Sequence, residues 1–468
     1  MNEVNVVGSD TSPSDSVDTK IWKVAAVVMM GPFMTQLDST VVNVSLSTVQ
    51  HGLEAPISSV QWVISGYLLA LALMLPLNGW LVDRVGTKRL YLGSFSAFTL
   101  ASFLCGAAQT MGALICSRVL QGMAGGLLSP MAQMMVAKIA GKQMARVMGY
   151  SAVPILIAPI LGPIVAGTIL RYASWRYLFF LNLPIGTLAT ALAAFLLPGD
   201  HASPSKRPFD AFGFMMFSPG LACLLYGLER VSHGEGSLIL VTGLILTGMF
   251  IWHAIRKMSA ALIDLRLFKN RILSTAAMTQ FLSNGQMYAG QFLIPLFLIS
   301  GCGLSAAQVG WMLAATGFGM MCSFPMIGFL TERFGCRAVS ACGAFLAFLG
   351  MLPFLWMIEK GFLPILAAVC LFFRGAGQGA IGIPSVSAAY TSIPREKLAI
   401  ANTAINIIQR LGGPLATTVT AFCIPSAVTS LSTPGPHAFT IAFSTLIGLH
   451  LLALGAASRL PALINRDS

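Results

Sequence analysis

Four ionisable side chains, Asp38, Arg118, Arg374 and Arg410, lie inside apolar runs long enough to cross a bilayer. An acid centred in a spanning helix costs about 2.5–3.5 kcal/mol on insertion scales, so such a residue is a functional candidate by default. Asp38 is the carboxylate placed deep in a run, the first, and Arg118 lies in the fourth. At a rise of about 1.5 Å per residue the two reach similar depth from opposite ends, which makes a pair or a shared water network feasible. Desolvation raises a carboxyl pKa and a nearby arginine lowers it, so a cavity that opens and closes would change that balance. Proton coupling through Asp38 and Arg118 is the expectation. The plainer alternative is that Asp38 packs its own helix through Ser39 and Thr40.

Arg374 and Arg410 fall near the middle of their runs, and no acid in the neighbouring runs neutralises them. Asn402, Asn406 and Arg410 recur every four residues, which aligns them on one helix face. The ninth run adds Asn284, Gln286 and Tyr288, a polar density unusual at lipid depth. These seven residues are the expected lining of a substrate cavity. With Asp38 ionised, that interior holds more positive than negative charge. Neutral, zwitterionic or anionic small amphiphiles are therefore expected in preference to dications.

Helices must position these groups. Only 9% of the 468 residues are charged, against roughly 25% in a soluble domain. A helix satisfies its own backbone in lipid, and about 20 apolar residues cross the hydrocarbon core. Fourteen spans are read near 21–46, 59–81, 90–109, 112–137, 147–170, 175–197, 211–228, 237–255, 272–300, 306–330, 337–358, 362–390, 398–424 and 437–458. Most Lys and Arg residues then fall on one side, which the positive-inside rule makes cytoplasmic, with both termini there. The seven Trp residues sit near span ends, as an interfacial belt requires. A net charge of +12 thus reports topology, and nucleic acid is not an expected partner. The polar residues 1–20 are expected to form a disordered cytoplasmic tail, with 459–468 as a second tail.

No C-x-x-C pair, metal cluster, nucleophile constellation or phosphate loop occurs, so no cofactor, metal or ATP chemistry is expected. The nine cysteines read as small packing groups.

An internal repeat organises the chain. Residues 79–89 read GWLVDRVGTKR and residues 328–337 read GFLTERFGCR. Arg118 with Gln121-Gly122 is echoed by Arg374 with Gln378-Gly379, one residue out of step. Two homologous six-helix halves, 21–197 and 272–458, separated by a linker with two extra helices at 198–271, account for this pattern. Repeated halves are a transporter device. Gly79 and Gly86 permit close approach and a tight turn. The charges Asp83, Arg84, Lys88, Arg89, Glu332, Arg333 and Arg337 could form a breakable latch between the halves. The fifth span carries Pro159, Gly162, Pro163 and Gly167, which suit a bent, closely packed helix.

The motifs LDSTVVNVSLSTV at 37–49, GWLVDRVGTKR at 79–89, RVLQGMAGG at 118–126 and APILGPIVAG at 158–167 resemble the fourteen-helix drug:proton antiporter branch of the major facilitator superfamily. The last motif departs from the family pattern at Ala158 and Ala166. The resemblance implies an all-α polytopic fold of two six-helix bundles plus two inserted helices. It implies export of small amphiphilic compounds by alternating access in a bacterial inner membrane, driven by protons, with Asp38 and Arg118 in the proton path. Alternatives are a dedicated exporter of one metabolite or antibiotic, or a non-transporting membrane sensor. Any periplasmic adaptor has to dock on short outer loops.

Overall fold

The computed structural model describes residues 18–199, 208–231, 236–257, 261–424 and 435–462. Most of the expected tails, residues 1–17 and 463–468, lies outside them. Sixteen α-helices are used below: α1 Thr19–Gly52, α2 Ile57–Met74, α3 Leu77–Val85, α4 Thr87–Ala107, α5 Met111–Ala140, α6 Met144–Tyr172, α7 Arg176–Phe180, α8 Asn182–Leu196, α9 Ala211–Val231, α10 Ser237–Lys257, α11 Arg271–Leu296, α12 Ala306–Leu349, α13 Leu352–Lys360, α14 Pro364–Thr391, α15 Leu398–Phe422 and α16 Pro436–Ala457. Their starts are locally encoded. The Asp18 carboxylate accepts from the Lys20 amide, Asn270 caps α11, and Ser305 with Gln308 forms a capping box on α12, each satisfying donors that a helix start leaves open.

Nine helices among the described residues are long and apolar enough to cross a membrane, or ten if the bent α2–α3 pair is one span. One of the nine, Gln308–Lys360, has 53 residues, about 80 Å if straight, far more than a hydrocarbon core of about 30 Å. It breaks at Gly335 and again before α13. Three long helices stand outside that count. They are α1, α11 and α15, the helices of Asp38, Gln286 and the Asn402–Asn406–Arg410 face.

The expected spans need correction at two places. The run at 59–81 is two helices meeting at 58°, because Pro76 has no amide hydrogen to continue the ladder and its ring crowds the preceding turn. The run at 175–197 is interrupted at Leu181. Trp175 stands at the start of that run. It is buried against the end of α1, where a Cβ on Gly52 would lie 2.5 Å from its indole nitrogen.

The repeat is visible in the backbone. Gly86 (φ 92°) and Gly335 (φ 83°) occupy the same position of the two loop motifs, and both are left-handed, a conformation that strains any residue with a Cβ. Helices α1 to α8 form one packed body, and α11 to α16 the other.

The inserted pair α9–α10 approaches backbone to backbone, since a Cβ on Gly227 or Gly243 would lie 2.7 Å from the opposing main chain. Helix α9 packs on α2 of the first half and α15 of the second, and Thr418 Oγ1 donates to the Leu228 carbonyl at 2.7 Å. Asp210 secures the entry to this pair. Its buried carboxylate accepts from Lys257 Nζ at 2.8 Å, His253 Nε2 at 3.0 Å and the amides of Gly213 and Leu262 at 3.1 and 2.9 Å. Burial alone would raise its pKa. The hydrogen bonds from Lys257, His253 and the two amides outweigh that and hold it below the ordinary range.

A depressed carboxyl stabilises the fold above its unfolded pKa of about 3.9, and the contribution is lost as pH falls through the lower folded value. Asp210→Asn is therefore expected to lower the thermal unfolding midpoint at pH 7, for a loss of about 1–3 kcal/mol. The difference from wild type should shrink in melts below pH 4.

Candidate functional site

In the first half, helices α1, α2, α4, α5 and α8 converge on Asp38. The carboxylate is 3% exposed and Arg118 is 1% exposed. Arg118 Nη1 donates to Asp38 Oδ2 at 2.6 Å and to Gln121 Oε1 at 2.5 Å, and its Nε donates to the Val63 carbonyl at 3.1 Å. Gln121 Nε2 donates to Asp38 Oδ1 at 3.0 Å and to Ser102 Oγ at 2.6 Å. Asn182 Nδ2 donates to the same Asp38 oxygen at 2.7 Å and reaches Ser102 Oγ at 3.2 Å. The Tyr67 ring lies 4.2 Å below the Arg118 guanidinium. A buried ion pair holds only when its remaining lone pairs and protons find partners, and here each carboxylate oxygen has at least one donor. Sequence reasoning found Asp38, Arg118 and the Gln121 echo. It missed Ser102, Asn182 and Tyr67, although an asparagine inside the apolar run 175–197 was a usable signal.

Helix α6 carries three internal prolines and lies along α1. A Cβ on Gly162 would come within 2.6 Å of the Thr40 methyl, two residues from Asp38. Pro159 and Pro163 flank that contact, whereas Gly167 faces open space. The tight seam of this helix is thus inside the first half, next to the carboxylate. Its contact with the other half lies nearer its start, where a Cβ on Gly149 would be 2.4 Å from the Phe324 carbonyl oxygen.

In the second half the echo is uneven. Arg374 is 3% exposed, and its Nη2 donates to the main-chain carbonyl of Gln286 at 2.9 Å. Gln286 Nε2 donates to Gln378 Oε1 at 2.9 Å, and Gln378 Nε2 donates to Ser283. An amide, Gln286, stands in the network where the first half has a carboxylate. Arg374 Nε, Gln286 Oε1 and His450 Nε2 have no hydrogen-bond partner among the described residues. Both Arg374 and Gln286 lie inside the second half, away from the surface between the halves.

Asn402 and Asn406 do reach that surface. Asn402 Nδ2 donates to the Pro130 carbonyl at 2.9 Å, and Asn406 Nδ2 approaches Gln133 Oε1 at 3.4 Å. Tyr390 also donates to Asn402 Oδ1. Arg410 follows on the same face, partly buried. Asn284 and the half-exposed Tyr288 pack over Gly413, one turn beyond Arg410.

The repeated loops meet opposite helices. Gly79 packs on Ala399, Ile400 and Thr403 of α15, and Gly328 packs on Arg146 of α6, where an added Cβ would lie 2.1 Å from the Arg146 Cα. Glu332 faces Arg146 at 3.9 Å. Of the other loop charges, Arg337 Nε donates to the Leu460 carbonyl at 2.6 Å, within its own half. Lys88 Nζ donates to the Leu197 carbonyl at 2.8 Å, also within its own half. Arg333 lies beside the Phe334 ring. Asp83, Arg84 and Arg89 are at the end of α3 and the start of α4. The two halves are therefore joined at the end of the bundle that carries both loops.

Two repeated helical bodies, joined along a seam at one end and holding a buried acid–arginine pair in one body, define a secondary-transporter fold. The chain belongs to the Major Facilitator Superfamily, whose model matches residues 28–417. It is 34% identical over 413 residues to a protein named multidrug resistance protein B homolog of Mycobacterium tuberculosis, covering 86% of this chain and 76% of that one. It is 30% identical over 459 residues to putative multidrug resistance protein MdtD of Serratia proteamaculans, covering 96% and 94%. Solved structures with the same fold include the proton:xylose symporter XylE (TM-score 0.62, 14% identity, 92% and 94% covered). The human organic anion transporter MFSD10 is another (0.63, 15%, 93% and 99%).

The pair also makes a stability prediction. Asp38→Asn leaves a guanidinium that cannot shed its charge, whereas Arg118→Gln leaves a carboxyl that can take up a proton. Removing one partner of a buried pair costs about 3–5 kcal/mol. Thermal unfolding in detergent at pH 7 should rank Asp38→Asn below Arg118→Gln, with the double variant more stable than the sum of the two losses. Strict additivity would show that the two groups are not coupled.

Proposed function

We propose that this chain is a proton-coupled antiporter that exports small amphiphilic compounds from the cytoplasm across the inner membrane. The observation that carries this reading is the Asp38–Arg118 pair, an ionisable group sealed inside the half that also contains the bent helix α6. Protonation of Asp38 would remove the attraction to Arg118 and leave the guanidinium with Gln121 and the Val63 carbonyl. Five helices bear on that one charge, so its neutralisation is the trigger for their rearrangement. The names of the similar multidrug resistance proteins support the substrate class.

Under this reading the chain makes fourteen passes with both termini in the cytoplasm, in halves 21–197 and 272–458. The linker 198–271 contributes the extra pair. The seam joined at Gly79–α15 and Gly328–α6 is then the cytoplasmic gate, closed here. The loop charges Asp83, Arg84, Lys88, Arg89, Glu332, Arg333 and Arg337 tune that gate, with the Glu332–Arg146 contact crossing it. Asn402 and Asn406 tie the gate from the cavity side. Rocking of one half against the other would open it.

The test is proton movement in energised inverted vesicles. A panel of amphiphiles added to wild type should release protons, Asp38→Asn should abolish the release, and Asp38→Glu should retain part of it. Undiminished release from a folded Asp38→Asn protein would remove Asp38 from the proton path.

A further inference from the structure

Arg410 is set apart from the other two interior arginines. Arg118 has Asp38, and Arg374 is enclosed within the second half. Arg410 is partly exposed on the α15 face that looks toward the first half, and no carboxylate of the described residues pairs with it. A guanidinium at this depth without a counter-charge is costly, and it is the group of choice for planar, bidentate recognition of an oxyanion.

Its surroundings are built from hydrogen-bonding groups and aromatic rings. Helices α11 and α15 meet through glycine, since a Cβ on Gly412 would lie 2.1 Å from the Phe281 carbonyl oxygen. That contact brings Asn284 Oδ1 and the Tyr288 ring against Gly413, whose added Cβ would lie 3.3 and 2.9 Å from them. Tyr288 is 47% exposed and Arg410 is partly exposed. From the first half, Tyr67 is buried, with its ring under the Arg118 guanidinium and its hydroxyl beside Gly125. The cluster thus offers one permanent cation, an amide and the phenol of Tyr288, whose flat ring lies beside them.

The geometry points to Arg410, flanked by Asn284 and Tyr288, as the receptor for the anionic group of an amphiphilic substrate, a carboxylate or sulfonate on an aromatic body. The inference rests on the reading of this chain as an exporter and narrows its substrate class.

Equilibrium binding tests this without any proton gradient, so its failure is distinct from a failure of proton coupling. The probes are 1-pyrenebutyrate, 1-pyrenebutanol and 1-pyrenebutylamine, which share one apolar body and differ in charge. Purified wild-type protein in nanodiscs should bind the carboxylate about tenfold tighter than the alcohol, as expected for a charge-assisted contact, and the amine weakest. Arg410→Gln should remove the preference and leave the alcohol affinity within about twofold, while Arg410→Lys should keep part of the preference. The proposal is overturned if wild type binds the three probes equally, binds none of them, or binds the amine tightest. It is also overturned if the preference survives in Arg410→Gln. The wild-type series decides the matter alone should the variants fail to fold.

Discussion

A carboxylate taken out of water must be given donors for its oxygens, and that requirement shapes the first half of this protein. Asp38 receives Arg118, Gln121 and Asn182, which come from the fifth and eighth helices. Ser102 and the Val63 carbonyl satisfy the donors that those partners still carry. The helices that supply these groups are otherwise apolar and could slide against one another, because lipid competes well for their side chains. The polar cluster fixes their register. It is also the place where a single proton could release that register, since the attraction on which the network turns depends on the charge of one group.

The second half repeats the scaffold without repeating the charge balance. Arg374 and Gln378 reproduce the arginine and glutamine of the fifth helix, and Gln286 takes the place of the acid. An amide does not change charge with pH, so Gln286 cannot take the part that a carboxylate plays in the first half. The halves therefore differ in kind. One buries a carboxylate against an arginine, and the other buries an arginine against amides and leaves Arg410 partly exposed. The inserted pair α9–α10 touches both halves and is anchored through Asp210.

Much of this was legible in the residue string. Apolar run lengths located the helices, and the recurrence of an acid, an arginine and a glycine in two loops revealed the halves. The left-handed Gly86 and Gly335 show why the glycine recurs. The pairing of Asp38 with Arg118 could be anticipated from depth alone. What could not be anticipated depends on rotation about helix axes. Arg374 and Arg410 look alike in sequence, each mid-run and without a nearby acid, yet one is enclosed and the other is partly exposed. Gly162 and Gly167 look equally like packing glycines, yet only the first touches a neighbour. The bend at Pro76 and the break at Leu181 were lost because hydropathy averages over a window wider than either interruption.

Asp38 is the one buried carboxylate inside a helix among the described residues, and under the proposed antiport cycle that would limit how hard such a machine can pump. A cycle that carries one proton on one acid draws about 2.3 kcal/mol from each 100 mV of proton-motive force, equivalent to about a fiftyfold concentration ratio for an uncharged cargo. A cargo with one negative charge gains a second, equal contribution from an inside-negative potential, because its exit moves charge in the same electrical sense as the proton's entry. The same carboxylate would then sustain the square of that ratio wherever the driving force is mainly electrical. A dication would have to be pushed against that potential twice over, so the charge of the cargo decides how steep a gradient a one-acid exporter can maintain.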